Sequence, residues 1–436
     1  MSLLINTAYL LAAVITSPIW LTSMIRTGKI RTDWRGRFGH GETIPRTDRP
    51  RVMIHAVSVG EVNATQLLVR RLAEDERQPE IVIATTTDTG FARARSLYEA
   101  QHHVIRYPFD TSGSVARVLK RIQPDVVGLM ELEVWPNFLS GCRKRSIPLV
   151  VLNGRLSERS HRRYRRFRAI LGGLFARLDF VTTQDQTYAD RFADLGVPST
   201  CLEVTGNMKW DTARIADEVD GADQLAREMG IDRSRPLVVA GSTAPSEHAL
   251  LHASVPPGTQ LLCAPRKPEW FDRAADDLPG CTRRSKGEEG GGQDRFLLDT
   301  IGELRAAYAL ADVVVIGRTF TDLGGSDMIE PVALGKATVI GPDCRNFLDA
   351  VSRLSRGPGV VQCSPAQLPE TLADLLDDPT KRADLAEHGR AIIRSAQGAT
   401  ERNATIICRM LDRTHNSPRS VRPDHASPVA MSHASD

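Results

Sequence analysis

From about residue 50 onward, short runs of β-branched and apolar residues alternate with longer charged stretches whose apolar positions recur at helical spacing. Strands covered on both faces read as unbroken apolar runs, so this pattern predicts an α/β protein built from parallel sheets wrapped by helices. A first series of strands is predicted at Val52–Ser58, Glu80–Thr86, His103–Pro108, Asp125–Glu131, Pro148–Gly154, Asp179–Gln184 and Cys201–Gly206. A second series, Pro236–Ser242, Gln260–Pro265, Arg295–Asp299, Asp312–Gly317 and Ala337–Pro342, follows a polar stretch around Asp211–Arg235. Two series imply two doubly wound, Rossmann-like domains, with a ligand expected outside the carboxyl ends of the strands in the cleft between them. The expected divisions are an N-terminal segment 1–30, a first domain 31–211, a second domain 212–412 and a tail 413–436.

The N-terminus breaks the pattern. No charge occurs from Met1 to Ile25, and the 22 residues Leu3 to Met24 are mostly apolar, which as helix is about 33 Å, enough to cross a bilayer. Asn6, Thr7, Thr16, Ser17 and Pro18 weaken the segment, so a shallow anchor and a buried N-terminal helix both stay open. A signal peptide fits poorly, because no positive charge precedes the run and no small-residue cleavage site follows it. Arg26, Lys29, Arg31, Arg35 and Arg37 come afterwards, and a cytoplasmic excess of Lys and Arg then leaves the remaining chain on the cytoplasmic face of a membrane.

Composition narrows this little. The 436 residues are 41% hydrophobic and 25% charged, with a net charge of +3 from 56 Lys+Arg and 53 Asp+Glu, an ordinary globular balance too weak to imply nucleic acid. The seven cysteines form no CxxC pair, so reduced thiols and no zinc site are expected. The tail from Arg413, rich in Ser, Pro, His and Arg, and the run Glu288–Asp294 with Gly290–Gly292 have too few apolar residues to offset the entropy of ordering.

Candidate chemistry falls at the predicted strand ends. In Val57–Ser58–Val59–Gly60–Glu61 a strand hands over to a helix, and Glu61 there suits either a general base or a carboxylate that merely complements a helix N-terminus. Glu131 and Glu133, at i and i+2 in the run Leu129–Pro136, share a face if the strand persists. They suit orientation of a hydroxyl or stabilisation of developing positive charge, or else a solvated loop with Trp135 packed beneath it. Between Asn153 and Arg168 lie seven arginines, at 155, 159, 162, 163, 165, 166 and 168, a cluster suited to lipid phosphates or an anionic surface. Nucleic acid ranks lower, because only Tyr164 and Phe167 interleave with the charges. Gly206–Lys209, Gly241–Thr243 and Pro265–Arg266 place backbone N–H groups, Lys209 and Arg266 at strand ends, which suits a phosphate. Gly324–Gly325 precedes a short helix whose first turn carries Glu330, an acid placed to hold ribose hydroxyls.

Taken in order, VSVGE, MELEVWP, NGRLSERS, GNMKWD, GST, APR, DTIGEL and GGSDMIEP resemble the 3-deoxy-D-manno-octulosonic acid (Kdo) transferases of lipopolysaccharide synthesis, from the N-terminal segment to about Phe347. The resemblance implies a GT-B fold, CMP-Kdo as donor, a lipid A precursor as acceptor, and an anchor in the inner membrane facing the cytoplasm. It implies Glu61 as proton acceptor for the attacking lipid hydroxyl, with Glu131 and Lys209 stabilising the transition state. CMP binding maps onto Pro265, Arg266, Ile301, Gly302, Glu303, Asp327, Met328, Ile329 and Glu330. Arg155 and Arg159 are the expected acceptor contacts; no cofactor or metal is expected.

The chain also departs from the family. Its GGHN reads Gly324–Gly325–Ser326–Asp327, placing an acid beside the expected nucleotide, with Arg318 in the strand end Gly317–Arg318–Thr319 a possible compensating charge. Ala244 and Ser246 replace the usual His and Gly after GST, and the segment from Ser242 to Gln260 is shorter than the family's. Two alternatives follow: another GT-B sugar-nucleotide enzyme, a glycosyltransferase or epimerase using a UDP-sugar, or a catalytically weak homologue that binds anionic lipid.

Overall fold

The computed structural model describes residues 2–26, 32–166, 173–287 and 293–416. Lys29, Arg31, Phe167, Arg168, Gly290–Gly292 and the tail beyond Asn416 lie outside the described residues.

The chain divides into two compact units, one of residues 1–206 and 399–436, the other of Asn207–Gly398. The first contains β1 (Arg51–His55), β2 (Glu80–Thr85), β3 (His103–Arg106), β4 (Val126–Met130), β5 (Leu149–Gly154), β6 (Phe180–Thr183) and β7 (Leu202–Val204). Their order is β3-β2-β1-β4-β5-β6-β7 and neighbouring strands run parallel. The second holds β8 (Leu237–Thr243), β9 (Gln260–Pro265), β10 (Thr282–Arg283), β11 (Arg295–Leu297), β12 (Val313–Ile316), β13 (Ala337–Ile340) and β14 (Val361–Gln362). Here the order is β10-β11-β9-β8-β12-β13-β14, again parallel. Helices cover both faces: in the second unit Val239, Leu262 and Val314 point into one buried cluster while Val238, Leu261 and Val313 point into another. Each predicted strand forms, shorter by one to three residues at most ends, and the two-residue strands β10 and β14 are additional.

Parallel order has a direct consequence for chemistry. In each sheet the connections leave the first strand in opposite directions, between β1 and β4 in one and between β8 and β12 in the other, and such a switch point opens a crevice at the carboxyl ends of those strands. Glu61 follows β1 and Glu131 follows β4, while Thr243 ends β8 and Arg318 follows β12. Four residues at strand ends, Glu131 (φ 57°), Asn153 (φ 54°), Ser242 (φ 57°) and Arg318 (φ 62°), adopt left-handed backbone without being glycine. Such residues cost of order 1–3 kcal/mol and gather where a turn must present a particular group.

The unit boundaries differ from the expected ones in two ways. The division falls after Gly206, so Lys209 belongs to the second unit: its neighbour Trp210 is 1% exposed in that unit's core and donates from Nε1 to Asp349 at 3.2 Å. The helix Ala399–Asn416 belongs to the first unit and not the second, and the expected tail from Arg413 is helical as far as Asn416. Asn403, fully buried, fixes that helix: its Oδ1 accepts from Thr182 Oγ1 at 2.6 Å and its Nδ2 donates to Thr205 Oγ1 at 3.1 Å and to Ala399 O at 2.8 Å. The contacts to Thr182 and Thr205 join residues more than 190 positions apart, beyond the reach of any local sequence signal.

The N-terminal helix Ser2–Arg26 contains a stretch, Ile5–Arg26, long and apolar enough to cross a membrane, with mean hydropathy 1.6. Its start is held by polar contacts to the first unit. Asn6 Nδ2 donates to Ser112 Oγ at 2.7 Å, Asn137 Nδ2 donates to Asn6 Oδ1 at 3.1 Å, and Tyr9 OH donates to Asp110 at 3.0 Å. Beyond them Leu10, Leu11, Val14, Ile15, Ile19 and Ile25 are exposed. The following Arg37 is engaged by Thr32 at 3.0 Å and by Asp88 at 3.4 Å.

Asn403→Ala strips Thr182 and Thr205 of a buried partner and should lower the unfolding free energy by about 2–4 kcal/mol, read as a fall in the urea midpoint at constant slope. A midpoint equal to wild type contradicts the role given to this helix.

Candidate functional site

A first group of candidate residues lies at the carboxyl ends of β1 and β4. Ser58 ends the extended segment after β1 and caps the helix Val59–Ala64, its Oγ accepting from Glu61 N at 3.3 Å. Glu61 answers from the third helical position: Oε2 accepts from Val57 N at 2.8 Å and Oε1 from Ser58 Oγ at 3.0 Å. This reciprocal cap fixes the carboxylate. Both readings of Glu61 therefore meet in one geometry, because a carboxylate that closes the helix start is also held rigidly at a crevice.

Burial pushes the Glu61 carboxyl above its ordinary range; the Val57 N–H and the Ser58 hydroxyl oppose this, and the neighbouring charges of Glu131 and Glu133 add to it. A raised carboxyl is a stronger base once ionised. Glu131 leaves the strand with φ 57°, its N–H donating to Leu152 O at 2.9 Å. The extended backbone that would set Glu131 and Glu133 on one face thus ends at Met130, and the turn rather than strand pleating brings both charges near Glu61. Trp135 is 41% exposed and donates from Nε1 to Glu133 at 2.8 Å, while Val134 is the residue buried beneath the loop.

Arg155 follows β5 and Arg159 lies on the helix Glu158–Arg166, which has no buried residue. Arg155, Arg159, Arg162, Arg163, Arg165 and Arg166 are exposed. Arg162 pairs with Glu158, and His161 Nε2 lies 2.8 Å from Asp194 Oδ2. Tyr164 anchors the helix, packing edge-on against Phe175 with centroids 5.2 Å apart.

A second group of candidate residues, in the other unit, surrounds the phenol of Tyr308. This side chain is buried and its hydroxyl is pushed far up by burial and by the charges of Glu330 and Asp327, with a Ser242 hydrogen bond and the Arg266 charge opposing. The charges of Glu330, Asp327 and Arg266 and a hydrogen bond with Ser242 thus all act on one phenol. Gly241 is required there, because a Cβ would come within 2.0 Å of the Tyr308 oxygen. Glu330, in the first turn of Ile329–Ala333, accepts from Arg305 at 3.4 Å, and burial raises its carboxyl against that cation. Asp327 still meets solvent, yet the protein around it raises its carboxyl, while its bond from Ile329 N and the charge of Lys209 oppose the rise. The cation acting on Asp327 is thus Lys209. The expected compensation by Arg318 does not occur in this form: its guanidinium donates to Leu323 O at 3.0 Å.

The remaining expected nucleotide contacts divide. Pro265 ends β9, and Arg266 N donates to Thr243 O at 3.0 Å while its side chain stays exposed. Met328 and Ile329 bury their side chains in the core, leaving only backbone to a ligand, and Ile329 N is already held by Asp327 at 2.9 Å. Ile301 is 75% exposed, Gly302 has φ 102°, and Glu303 is held by Arg284 at 2.9 Å. Glu303 starts the helix Leu304–Leu310, which carries Arg305 to Glu330. Among the described residues no cluster of metal-binding side chains occurs.

One residue escapes sequence reasoning entirely. Glu247, 1% exposed in the helix Pro245–Ser254, accepts from Ala244 N at 2.8 Å, Arg318 N at 2.7 Å and Phe320 N at 3.1 Å. It ties the turn after β8 to the turn after β12, the two sides of the switch point. Its spacing from residue 244 is that of a helix cap, but alanine at 244 removes the hydroxyl signature that would disclose it. Glu247→Ala leaves one buried and two part-buried N–H donors without their acceptor and should cost about 2–3 kcal/mol, measured by urea unfolding; an unchanged midpoint removes Glu247 from this role.

Residues 32–212 match the family model described as 3-deoxy-D-manno-octulosonic-acid transferase (kdotransferase). The 3-deoxy-D-manno-octulosonic acid transferase of Bordetella pertussis is 32% identical over 415 residues, covering 89% of this chain and 95% of its own length. That of Haemophilus influenzae is 31% identical over 381 residues, covering 83% and 87%. Among solved structures, a glycosyltransferase from Rickettsia africae superposes with a TM-score of 0.56 at 9% identity, covering 85% of this chain and 100% of its own. UDP-GlcNAc 2-epimerase from Neisseria meningitidis, bound to UDP-GlcNAc, gives 0.55 at 14% identity, covering 83% and 100%. At such identities the likeness is one of fold.

Proposed function

Because the chain belongs to the 3-deoxy-D-manno-octulosonic acid transferase family, a family of glycosyltransferases, we propose that it moves Kdo from CMP-Kdo to a lipid A precursor in lipopolysaccharide core synthesis. The observation that carries the mechanism is the capped Glu61 carboxylate at the β1/β4 switch point, raised by burial and by two neighbouring acids. The reaction is a direct displacement with inversion. Glu61 takes the proton of the lipid hydroxyl as its oxygen bonds to the anomeric carbon of Kdo, and the bond from that carbon to the CMP phosphate breaks with its electron pair leaving on phosphate. Glu131 stabilises positive charge developing on the sugar. Lys209 and Arg266 take the negative charge that appears on the departing phosphate, as cations fixed in advance of the reaction. Glu330, and Asp327 beside it, are the acids that suit the ribose hydroxyls.

The exposed arginines at 155 and 159 suit the phosphates of the acceptor, since guanidinium forms paired hydrogen bonds to phosphate oxygens. The exposed apolar stretch Leu10–Ile25, continuing from Asn6 and Tyr9 on the first unit, suits an anchor in the inner membrane with the two units on the cytoplasmic face. A UDP-sugar enzyme of the same fold has less support, because the epimerase shares architecture at only 14% identity whereas the Bordetella pertussis relative is 32% identical over most of both chains.

The direct test is to incubate the full chain in detergent with CMP-Kdo and a tetraacylated lipid A precursor and to weigh the lipid. A product heavier by whole Kdo increments is expected; unaltered lipid contradicts the proposal. Glu61→Ala should lower turnover about 100-fold or more while CMP affinity stays within a few-fold, and equal turnover removes Glu61 from the mechanism. The base must be ionised, so activity should fall with acid at a pH above the ordinary Glu value of about 4.3; a profile flat down to that value contradicts the raised carboxyl.

A further inference from the structure

His55 ends β1 and is completely buried, yet one of its ring nitrogens has no hydrogen-bond partner. Nδ1 lies 2.9 Å from Ala84 O. A carbonyl only accepts, so Nδ1 carries a hydrogen and the open question is Nε2. Nε2 is the unpartnered atom, and Glu133 Oε2 lies 3.7 Å from it. Were Nε2 bare, a buried lone pair would face a carboxylate oxygen at 3.7 Å. With a hydrogen there, an imidazolium faces its counter-charge. The ring plane is held by a stack on Tyr107, 3.6 Å between centroids with planes 11° apart, and its orientation within that plane by the Nδ1 bond to Ala84 O.

We propose that His55 is a positioning residue: as imidazolium it holds Glu133 through Nε2–H and offsets the charge of that carboxylate in the turn that follows β4. The proposal rests on the reading of Glu61 as the base. Glu133 also accepts from Trp135 Nε1 at 2.8 Å, so the imidazolium and the indole would fix this carboxylate between them. Its charge is one of those that raise Glu61.

The groups around the pair are few. Glu61 is faced by Val57 N, Ser58 Oγ and the charges of Glu131 and Glu133. Asp110, whose charge acts on Tyr107, has its carboxylate taken by Asn137 N at 3.0 Å, Phe138 N at 2.8 Å and Tyr9 OH at 3.0 Å. Tyr164 also senses Glu133, which raises its hydroxyl after burial does. The charge state of His55 is therefore a lever on the net charge before Glu61, set one layer behind the carboxylate it acts upon. A histidine kept for packing alone would need only the Tyr107 stack and the Ala84 bond.

The sign follows from the charges. Removing the imidazolium leaves Glu133 uncompensated and raises Glu61 further, so the acid limb of activity in His55→Gln should move to higher pH by roughly half a unit. Removing the carboxylate does the reverse, so in Glu133→Gln the limb should move to lower pH, and the double variant should match Glu133→Gln. Independently of activity, the imidazole ¹⁵N resonances of His55 in full-length protein in detergent should report Nε2 as N–H at pH 7 in wild type and as bare in Glu133→Gln. A bare Nε2 in wild type, or two single variants that shift the limb in the same direction or not at all, overturns the proposal. Wild type that transfers no sugar sinks the functional reading, and the resonances still decide the pair even where His55→Gln fails to fold.

Discussion

Parallel strands in a doubly wound sheet all end at one edge, and where the connections part company the backbone leaves a crevice that no helix fills. That constraint governs both units of this protein. Turns must leave β1, β4, β8 and β12 sharply, and at Glu131, Ser242 and Arg318 they do so through left-handed backbone that ordinary residues avoid. The strain is held by bonds from deeper layers: Glu131 N to Leu152 O at 2.9 Å on one side, Arg318 N to Glu247 at 2.7 Å on the other. Sheet topology thus decides where chemistry can occur, and buried acceptors decide whether the turns stay in place.

The two crevices carry different charge. In the first unit three acids, Glu61, Glu131 and Glu133, stand close enough to raise one of them, and the polar groups holding Glu61 are a backbone N–H and a hydroxyl. A carboxylate held by neutral donors and crowded by like charge keeps its affinity for a proton, as a base requires. In the second unit the acids Asp327 and Glu330 are matched by Lys209 and Arg305, and Arg266 adds a further cation. Such a mixed surface suits a ligand that brings both hydroxyls and a phosphate. The acid at 327 is thus compensated from the polypeptide just after the division between the units, and Lys209 serves both the fold of that turn and the charge in front of it.

How much of this could be read from the chain depends on whether the signal was local. The long strands are legible because Val126–Met130 or Val313–Ile316 are covered on both sides and must be apolar without interruption. Thr282–Arg283 and Val361–Gln362 are two-residue edge strands with no periodicity to detect. Glu61 is legible because a glycine-containing strand end followed by an acid places it at a junction, and Glu330 for a similar reason. Met328 and Ile329 belong to the same run, but their side chains pack into the core, so what they can offer a ligand is backbone, which a motif read as side chains does not disclose. The return of Ala399–Asn416 to the first unit rests on Asn403 meeting Thr182 and Thr205, and His55 becomes notable only once folding sets Glu133 beside it. Pairings of that kind exist in three dimensions and leave no spacing to count.

The central claim is that the second unit, with an acid at 327 where the resemblance to the family leads one to expect an amide, still reads a cytidine monophosphate sugar. Calorimetric titration of the full chain with CMP and, separately, with UDP tests it most directly. The account predicts that CMP binds and that UDP binds at least about tenfold more weakly. UDP binding as tightly as CMP, or more tightly, would contradict it.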